Sequence, residues 1–357
     1  KRKLVLFSDM VIPYARQSIS QQDINAVAEV LQSDYLTQGP VVPAFEDAVA
    51  ELVGAKYAVA GNSATSMLHV ACLALGVTAG DRVWTAPNSF VASANCALYC
   101  GAEVDFVDID SETFNMSPTA LAVKLEQASK SNTLPKVIIA VHMGGQSCDM
   151  QSIGKKAKQY GIKVIEDASH AIGGSYNSQK IGNCAHSDIT IFSFHPVKII
   201  TSGEGGMATT QDESLAHNMR MLRSHGITRD ESEFEFTSDG PWYYEQQQLG
   251  LNYRLTDIAA ALGLSQLQRI DSFIQQRNSI AARYDEAFRS TQVVVPHIDA
   301  NCISAFHLYI ARCDFENLNI TRVQLFQKMK DLGILLNLHY IPIYRQPYFA
   351  KMGFDPK

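Results

Sequence analysis

The chain has 357 residues, of which 46% are hydrophobic and 18% charged, and its formal net charge is −6. That length can bury a large core and predicts one large and one smaller domain. A negative balance with no run of lysine or arginine argues against nucleic acid or an anionic membrane as a partner.

The chain opens basic (1–3) and then apolar (4–7), but Ser8 and Asp9 end the apolar run too soon for a signal peptide, so a cytoplasmic protein is expected. Ser20 with Asp23 three residues on predicts a capped helix reaching about Gln32. Strands are expected near 56–60, 82–85, 103–107, 136–141, 162–166, 187–193 and 206–209, mostly separated by helices such as 118–129 and 150–160. This alternation predicts an α/β fold with a largely parallel sheet. The uncharged stretch 83–102 is about membrane length, yet Pro87, Asn88, Ser89, Ser93 and Asn95 within it predict a turn plus a buried helix. From 256 to about 288 apolar residues recur at helical spacing without proline, predicting one long helix that joins a large domain (1–250) to a small one (251–357). Strands at 305–313 and 334–338 and a helix near 322–331 complete the small domain. The seven cysteines (Cys72, Cys96, Cys100, Cys148, Cys184, Cys302 and Cys313) are scattered among apolar neighbours. Cys96 and Cys100 are spaced to share a helix face, but no His or second Cys pair completes a metal site, so buried reduced thiols and no metal are expected.

Lys198 is set between the apolar strand 188–194 and the glycine-rich turn at Gly203, Gly205 and Gly206. It therefore lands past a strand end, where α/β sheets place reactive groups. In a partly apolar pocket an amine loses part of its charge and can add to a carbonyl as a Schiff base; the bland alternative is a surface lysine in a turn. Asp167 closes the strand 161–166, and an Asp beside a strand-end Lys is the pairing with which a pyridoxal phosphate (PLP) site holds the pyridinium nitrogen and the aldehyde. Its alternative role is a cap for the residues that follow. The stretch 61–66, between a strand and an apolar helix, offers Thr65 and Ser66 and a helix amino terminus to a phosphate, or serves merely as a cap.

Five ordered stretches, 62–66, 86–90, 166–171, 192–206 and 249–257, resemble the DegT/DnrJ/EryC1/StrS family of PLP-dependent sugar aminotransferases, over nearly the whole chain from about Ile12. The resemblance implies the PLP-dependent transferase fold type I, aspartate aminotransferase-like, with a mostly parallel seven-stranded sheet in the large domain and a smaller α+β C-terminal domain. It implies that Lys198 carries PLP as a Schiff base and then moves the proton, and that Asp167 keeps the ring nitrogen protonated. Phe90 matches the aromatic that stacks on the ring, with a core phenylalanine as its alternative, and His170 matches a His or Gln near it, with a structural histidine as the alternative. Thr65, Ser66 and Ser193 match phosphate donors, and Asn252 matches a donor to the partner protomer's phosphate, which implies a homodimer with shared sites.

The stretches 12–19, 194–198, 240–245 and 339–348 are similar to a subset that aminates C4 of a UDP-linked 4-keto-6-deoxy-N-acetylhexosamine, with L-glutamate as donor. Arg254, His339 and Tyr340 are candidates for the substrate's phosphates, or ordinary surface or core residues. A UDP-4-keto-arabinose or dTDP-4-keto-6-deoxyhexose substrate is the alternative, as is a non-catalytic regulator with the same fold. A dehydratase of the family would carry His where this chain has Lys198. Family members usually continue past the 339–348 region by a strand and a helix, so a trimmed or disordered tail is expected here.

Overall fold

The computed structural model describes residues 11–356, and the basic and apolar start at 1–9 lies outside them. Seven strands, β1 (Tyr57–Gly61), β2 (Arg82–Thr85), β3 (Glu103–Phe106), β4 (Val137–Val141), β5 (Lys163–Asp167), β6 (Ile189–Ser193) and β7 (Gly206–Thr210), form one sheet in the order β1-β7-β6-β5-β4-β2-β3. Neighbours from β6 across to β3 pair in parallel, while β7 runs antiparallel to both β6 and β1. Every residue of β4 (Val-Ile-Ile-Ala-Val) and β6 (Ile-Thr-Ile-Phe-Ser) is buried. Continuous rather than alternating burial belongs to strands covered on both faces.

The cover is helical: α1 (Gln21–Leu31), α2 (Val41–Val53), α3 (Ala64–Ala74), α4 (Ala92–Tyr99), α5 (Pro118–Ser131), α6 (Met150–Gln159), α7 (Glu213–Arg223), α8 (Asp257–Leu267), α9 (Ile270–Phe288) and α10 (Arg322–Asp331). One core joins α3, α4 and α7 to Val59, Val83, Ile139 and Ile165 of the sheet. A second joins α2, α8 and α9 to Ala58, Phe192 and Met207, and a third joins α5 and α6 to Trp84, Ile138 and Val164. The predicted cap of α1 is present in full: the Asp23 amide donates to Ser20 Oγ, and the Ser20 amide donates to the Asp23 carboxylate.

All seven sheet strands lie where the sequence predicts them, but four expectations need correction. The long helix 256–288 is two helices, broken at Gln268 and Arg269. No proline or glycine marks the break. Arg269 (φ −107°, ψ 8°) leaves the helical path, its guanidinium pairs with buried Asp23 of α1 at 2.6 Å, and Ile270 and Ile274 turn into the core behind it. The strand expected at 305–313 is reduced to Arg312–Cys313, because the residues before it dock onto the loop after β4: Ala305 and Leu308 donate to the carbonyls of Gly145 and Gly144, and Phe306 has φ +42°. At 334–338 only Ile334 pairs, in one isolated bridge to Ile12. Finally, all seven cysteines are free, but only Cys72, Cys96, Cys148 and Cys184 are buried; the other three are half-buried. Among the described residues no helix is long and apolar enough to cross a membrane.

The topology concentrates loops on one edge. The C-terminal ends of β1, β5 and β6 meet the start of antiparallel β7 there, with Gly206 paired to both Gly61 and Ser193. Such an edge of a parallel sheet is where open α/β folds bind ligands.

Candidate active site

A cavity of about 790 Å³ opens over that edge, and Thr65, Ser66, Phe90, Asp167, His170, Ser193, Lys198, His339 and Tyr340 all line it. Lys198 stands five residues past the end of β6, in a loop pinned by buried Phe194, whose carbonyl accepts from Thr201 Oγ1 (2.9 Å) and the Ser202 amide (3.0 Å). Burial pushes the Lys198 amine down to about 8, against an opposing pull from the Asp167 charge. The amine is thus about half free base near pH 8, far more than an ordinary lysine supplies there, and the free base is the form that attacks carbonyls.

Asp167 ends β5 with its carboxylate fully engaged on two sides. Oδ2 accepts from Ser93 Oγ of α4 at 2.6 Å, and Oδ1 accepts from the Ser169 hydroxyl at 2.6 Å and amide at 3.2 Å. The Ser169 contacts make the local turn that the capping alternative anticipated, but no helix follows, and the carboxylate sits in the cavity wall without a cation in ion-pair contact among the described residues. Its neighbour Glu166 points to the opposite face, where His142 Nε2 lies 2.7 Å away and Ser187 and Thr190 also donate. The Cys148 amide donates to His142 Nδ1 (3.1 Å), so Nε2 carries the imidazole proton and donates it to Glu166. Strand alternation therefore selects Asp167, not Glu166, for the cavity.

At the far end, Ser63 caps α3 by accepting from the Ser66 amide, and Ser66 Oγ donates to Asn62 Oδ1 at 2.6 Å. Ala64 and Thr65 line the cavity at the start of α3, where backbone amides have no intrahelical acceptor. Gly206 lets β7 approach this helix start: a Cβ there would lie 2.4 Å from the Ala64 nitrogen.

His170 is buried and held neutral, its pKa driven well below the usual value by desolvation and then by the Lys198 charge. The Gly144 amide donates to His170 Nδ1 (3.3 Å), so Nε2 bears the proton and faces the Tyr340 hydroxyl at 3.3 Å. Phe90 is 58% exposed at the cavity rim with its ring 6.3 Å from that of Tyr340, which rules out its core alternative. Two predicted residues are not brought in: Asn252 is exposed and pairs with Ser224, and Arg254 is absent from the wall. Sequence reasoning missed Ser93, a serine in an apolar helix, and His307, whose ring lies 4.4 Å from that of His170 and whose buried Nδ1 has no partner among the described residues. Neither carries a motif that single-sequence reading could detect.

A family model described as the DegT/DnrJ/EryC1/StrS aminotransferase family matches residues 17–357. The chain belongs to this family. It is therefore a PLP-dependent sugar aminotransferase, with the fold type I architecture that the sheet order displays. It is 40% identical over 342 residues to the spore coat polysaccharide biosynthesis protein SpsC of Bacillus subtilis, covering 95% of this chain and 86% of that one. It is 38% identical to a UDP-4-amino-4,6-dideoxy-N-acetyl-β-L-altrosamine transaminase of Campylobacter jejuni, covering 96% of this chain and 87% of that one. Among solved structures, Helicobacter pylori PseC, an aminotransferase of pseudaminic acid biosynthesis, superposes with a TM-score of 0.87 at 31% identity, covering 96% and 88% of the two chains. The sugar aminotransferase Spr1654 of Streptococcus pneumoniae superposes in its PLP and PMP forms with TM-scores of 0.85 and 0.86 at 29% identity, covering 97% and 96% of this chain and 88% and 89% of those chains.

The cavity suits that cofactor on its own terms: it offers a depressed amine, a fixed carboxylate, and a helix start that Gly206 keeps clear of any side chain. The pH dependence follows from Lys198. The folded amine releases its proton near pH 8 and the unfolded one near 10.5, so its burial costs stability below about pH 8, and that cost fades as the pH rises toward 10.5. Capture of PLP by the cofactor-free protein should accordingly accelerate through a midpoint near pH 8, and Asp167→Asn should move the midpoint lower. A midpoint near that of free lysine, or one indifferent to Asp167, would contradict this electrostatic account.

Proposed function

We propose that the protein transfers an amino group from L-glutamate to C4 of a UDP-linked 4-keto-6-deoxy-N-acetylhexosamine, the reaction class of the pseudaminic acid pathway. The observation that carries the chemistry is the Lys198 amine, depressed to about 8 by burial within a cavity that also holds the Asp167 carboxylate. The likeness to the Campylobacter jejuni transaminase and to Helicobacter pylori PseC supports the choice of sugar.

When bound, PLP supplies an aldehyde that accepts the amino group and a ring that takes up the electrons released at the substrate carbon. Lys198 would hold the cofactor through Nζ, and the same amine would carry the proton that the reaction moves. Asp167, locked by Ser93 and Ser169, holds the proton at the ring nitrogen. Thr65, Ser66 and Ser193 with the amides of α3 bind the phosphate, and Phe90 covers the ring face with His170 close by. His170, neutral and protonated at Nε2, orients the Tyr340 hydroxyl. Tyr340 and His339 face the nucleotide sugar from the cavity wall, whereas Arg254 lies outside that wall and is given no part in holding it.

Asn252 serves the partner's site in a homodimer. Its exposure on this chain, with Leu249 (86%) and Trp242 (68%) also exposed in the preceding stretch, supports a surface that a second copy covers. Sedimentation should accordingly give a dimer, and Asn252→Ala should weaken PLP retention without dissociating it; a monomer with full PLP occupancy would refute the shared site.

The substrate is decided by a panel of UDP- and dTDP-linked 4-keto sugars, including UDP-4-keto-arabinose, assayed with L-glutamate. Single hydroxyl or acetamido contacts contribute about 1–3 kcal/mol each, enough to separate specificity constants by roughly tenfold or more. The UDP-linked N-acetylhexosamine should give the highest kcat/KM. A higher value for a dTDP sugar or for the pentose would overturn the substrate and leave the amino-transfer chemistry in place.

A further inference from the structure

The wall that carries Lys198 has a second side. A smaller cavity of about 320 Å³ adjoins the first, and Tyr14, Val197, Lys198 and His307 line both. Arg16 and Arg277 also line the smaller one, and among the described residues its wall contains no aspartate or glutamate. Arg277, on α9, is half-buried, and its Nη1 donates to the backbone carbonyls of Phe306 (2.9 Å) and His307 (3.5 Å). Among the described residues its remaining guanidinium nitrogens have no hydrogen-bond partner, and it forms no ion pair. Desolvation pulls its pKa below the usual arginine value. A withdrawn cation without a counter-charge is costly, and proteins normally pair it. Beside it, His307 is only 7% exposed, and its Nδ1 has no partner among the described residues.

We propose that this cavity receives a carboxylate of the amino donor, a small dicarboxylic amino acid, with Arg277 as the principal partner and Arg16 as the second. The proposal rests on the aminotransferase reading above. Both substrates would exchange the amino group in turn at the cofactor carbon that Lys198 would hold, and Lys198 lines both cavities. The larger space accommodates a nucleotide sugar, while the smaller lies at the low end of the range that ligand sites occupy. A planar guanidinium fork with free donors matches a carboxylate bidentately. The same fork would also suit a diphosphate, so the test must separate the two.

The two half-reactions can be followed separately on the holoenzyme by absorbance: amination of the cofactor by L-glutamate without sugar, and consumption of that amino group by the 4-keto sugar. Losing a hydrogen bond to a charged group corresponds to roughly tenfold or more in binding. Arg277→Lys is therefore expected to raise KM for glutamate by about that factor while leaving the sugar half-reaction unchanged. Because Arg277 also anchors Phe306 and His307, the exposed Arg16→Gln provides a second variant, with a smaller shift in the same direction. Glutarate, which carries two carboxylates and no amine, should bind the wild-type holoenzyme by calorimetry and bind both variants more weakly. Equal losses in the two half-reactions, unchanged glutamate and glutarate binding, or weakened UDP binding in place of glutarate binding would each overturn the proposal. If the wild type performs neither half-reaction, the aminotransferase reading itself fails, and the glutarate measurement still decides what the cavity binds.

Discussion

The site depends on one buried amine. Lys198 is withdrawn from water by its loop, which lowers its affinity for a proton, while the Asp167 charge raises it, and the balance leaves the amine near pH 8 rather than 10.5. Either influence alone would be less useful. Burial without a carboxylate would lower the amine further, and a carboxylate in direct contact would hold it as an inert ammonium. The sheet provides the required separation by ending β5 and β6 side by side and sending Lys198 five residues beyond the edge.

The surrounding structure keeps that geometry rigid. Ser93 belongs to α4 and Ser169 to the turn after β5, so the Asp167 carboxylate is braced by one helix and one loop at once. Glu166, one residue earlier, is drawn to the other face by His142, Ser187 and Thr190, which fixes the rotation of β5 about its axis. The close pass of β7 across the start of α3 at Gly206 sets the phosphate end of the cavity relative to Lys198. Hydrogen-bonded networks of this kind, with partners on several elements, hold functional groups more tightly than loops alone can.

The sheet was legible in the sequence because its strands are short, apolar-rich segments between clear turn residues, the plainest being Val137–Val141 ahead of His142. Lys198 and Asp167 were legible because each stands just past such a run. The break between α8 and α9 was not, since its cause is Arg269 reaching Asp23 some two hundred and forty residues away in sequence, a tertiary contact that leaves the helical periodicity intact. The lost strand at 305–313 has the same origin in docking to Gly144 and Gly145. His307 and Arg277 were invisible for a related reason: a lone histidine and a lone arginine gain meaning only when the fold sets them around Lys198.

The most direct test of the central claim is chemical. Borohydride reduction of the PLP-loaded protein, followed by proteolysis and mass spectrometry, reports which amine holds the cofactor. The account predicts a pyridoxyl group on Lys198 alone, with loss of the visible absorbance band. Labelling of a different lysine, or reduction that leaves no residue modified, would contradict it.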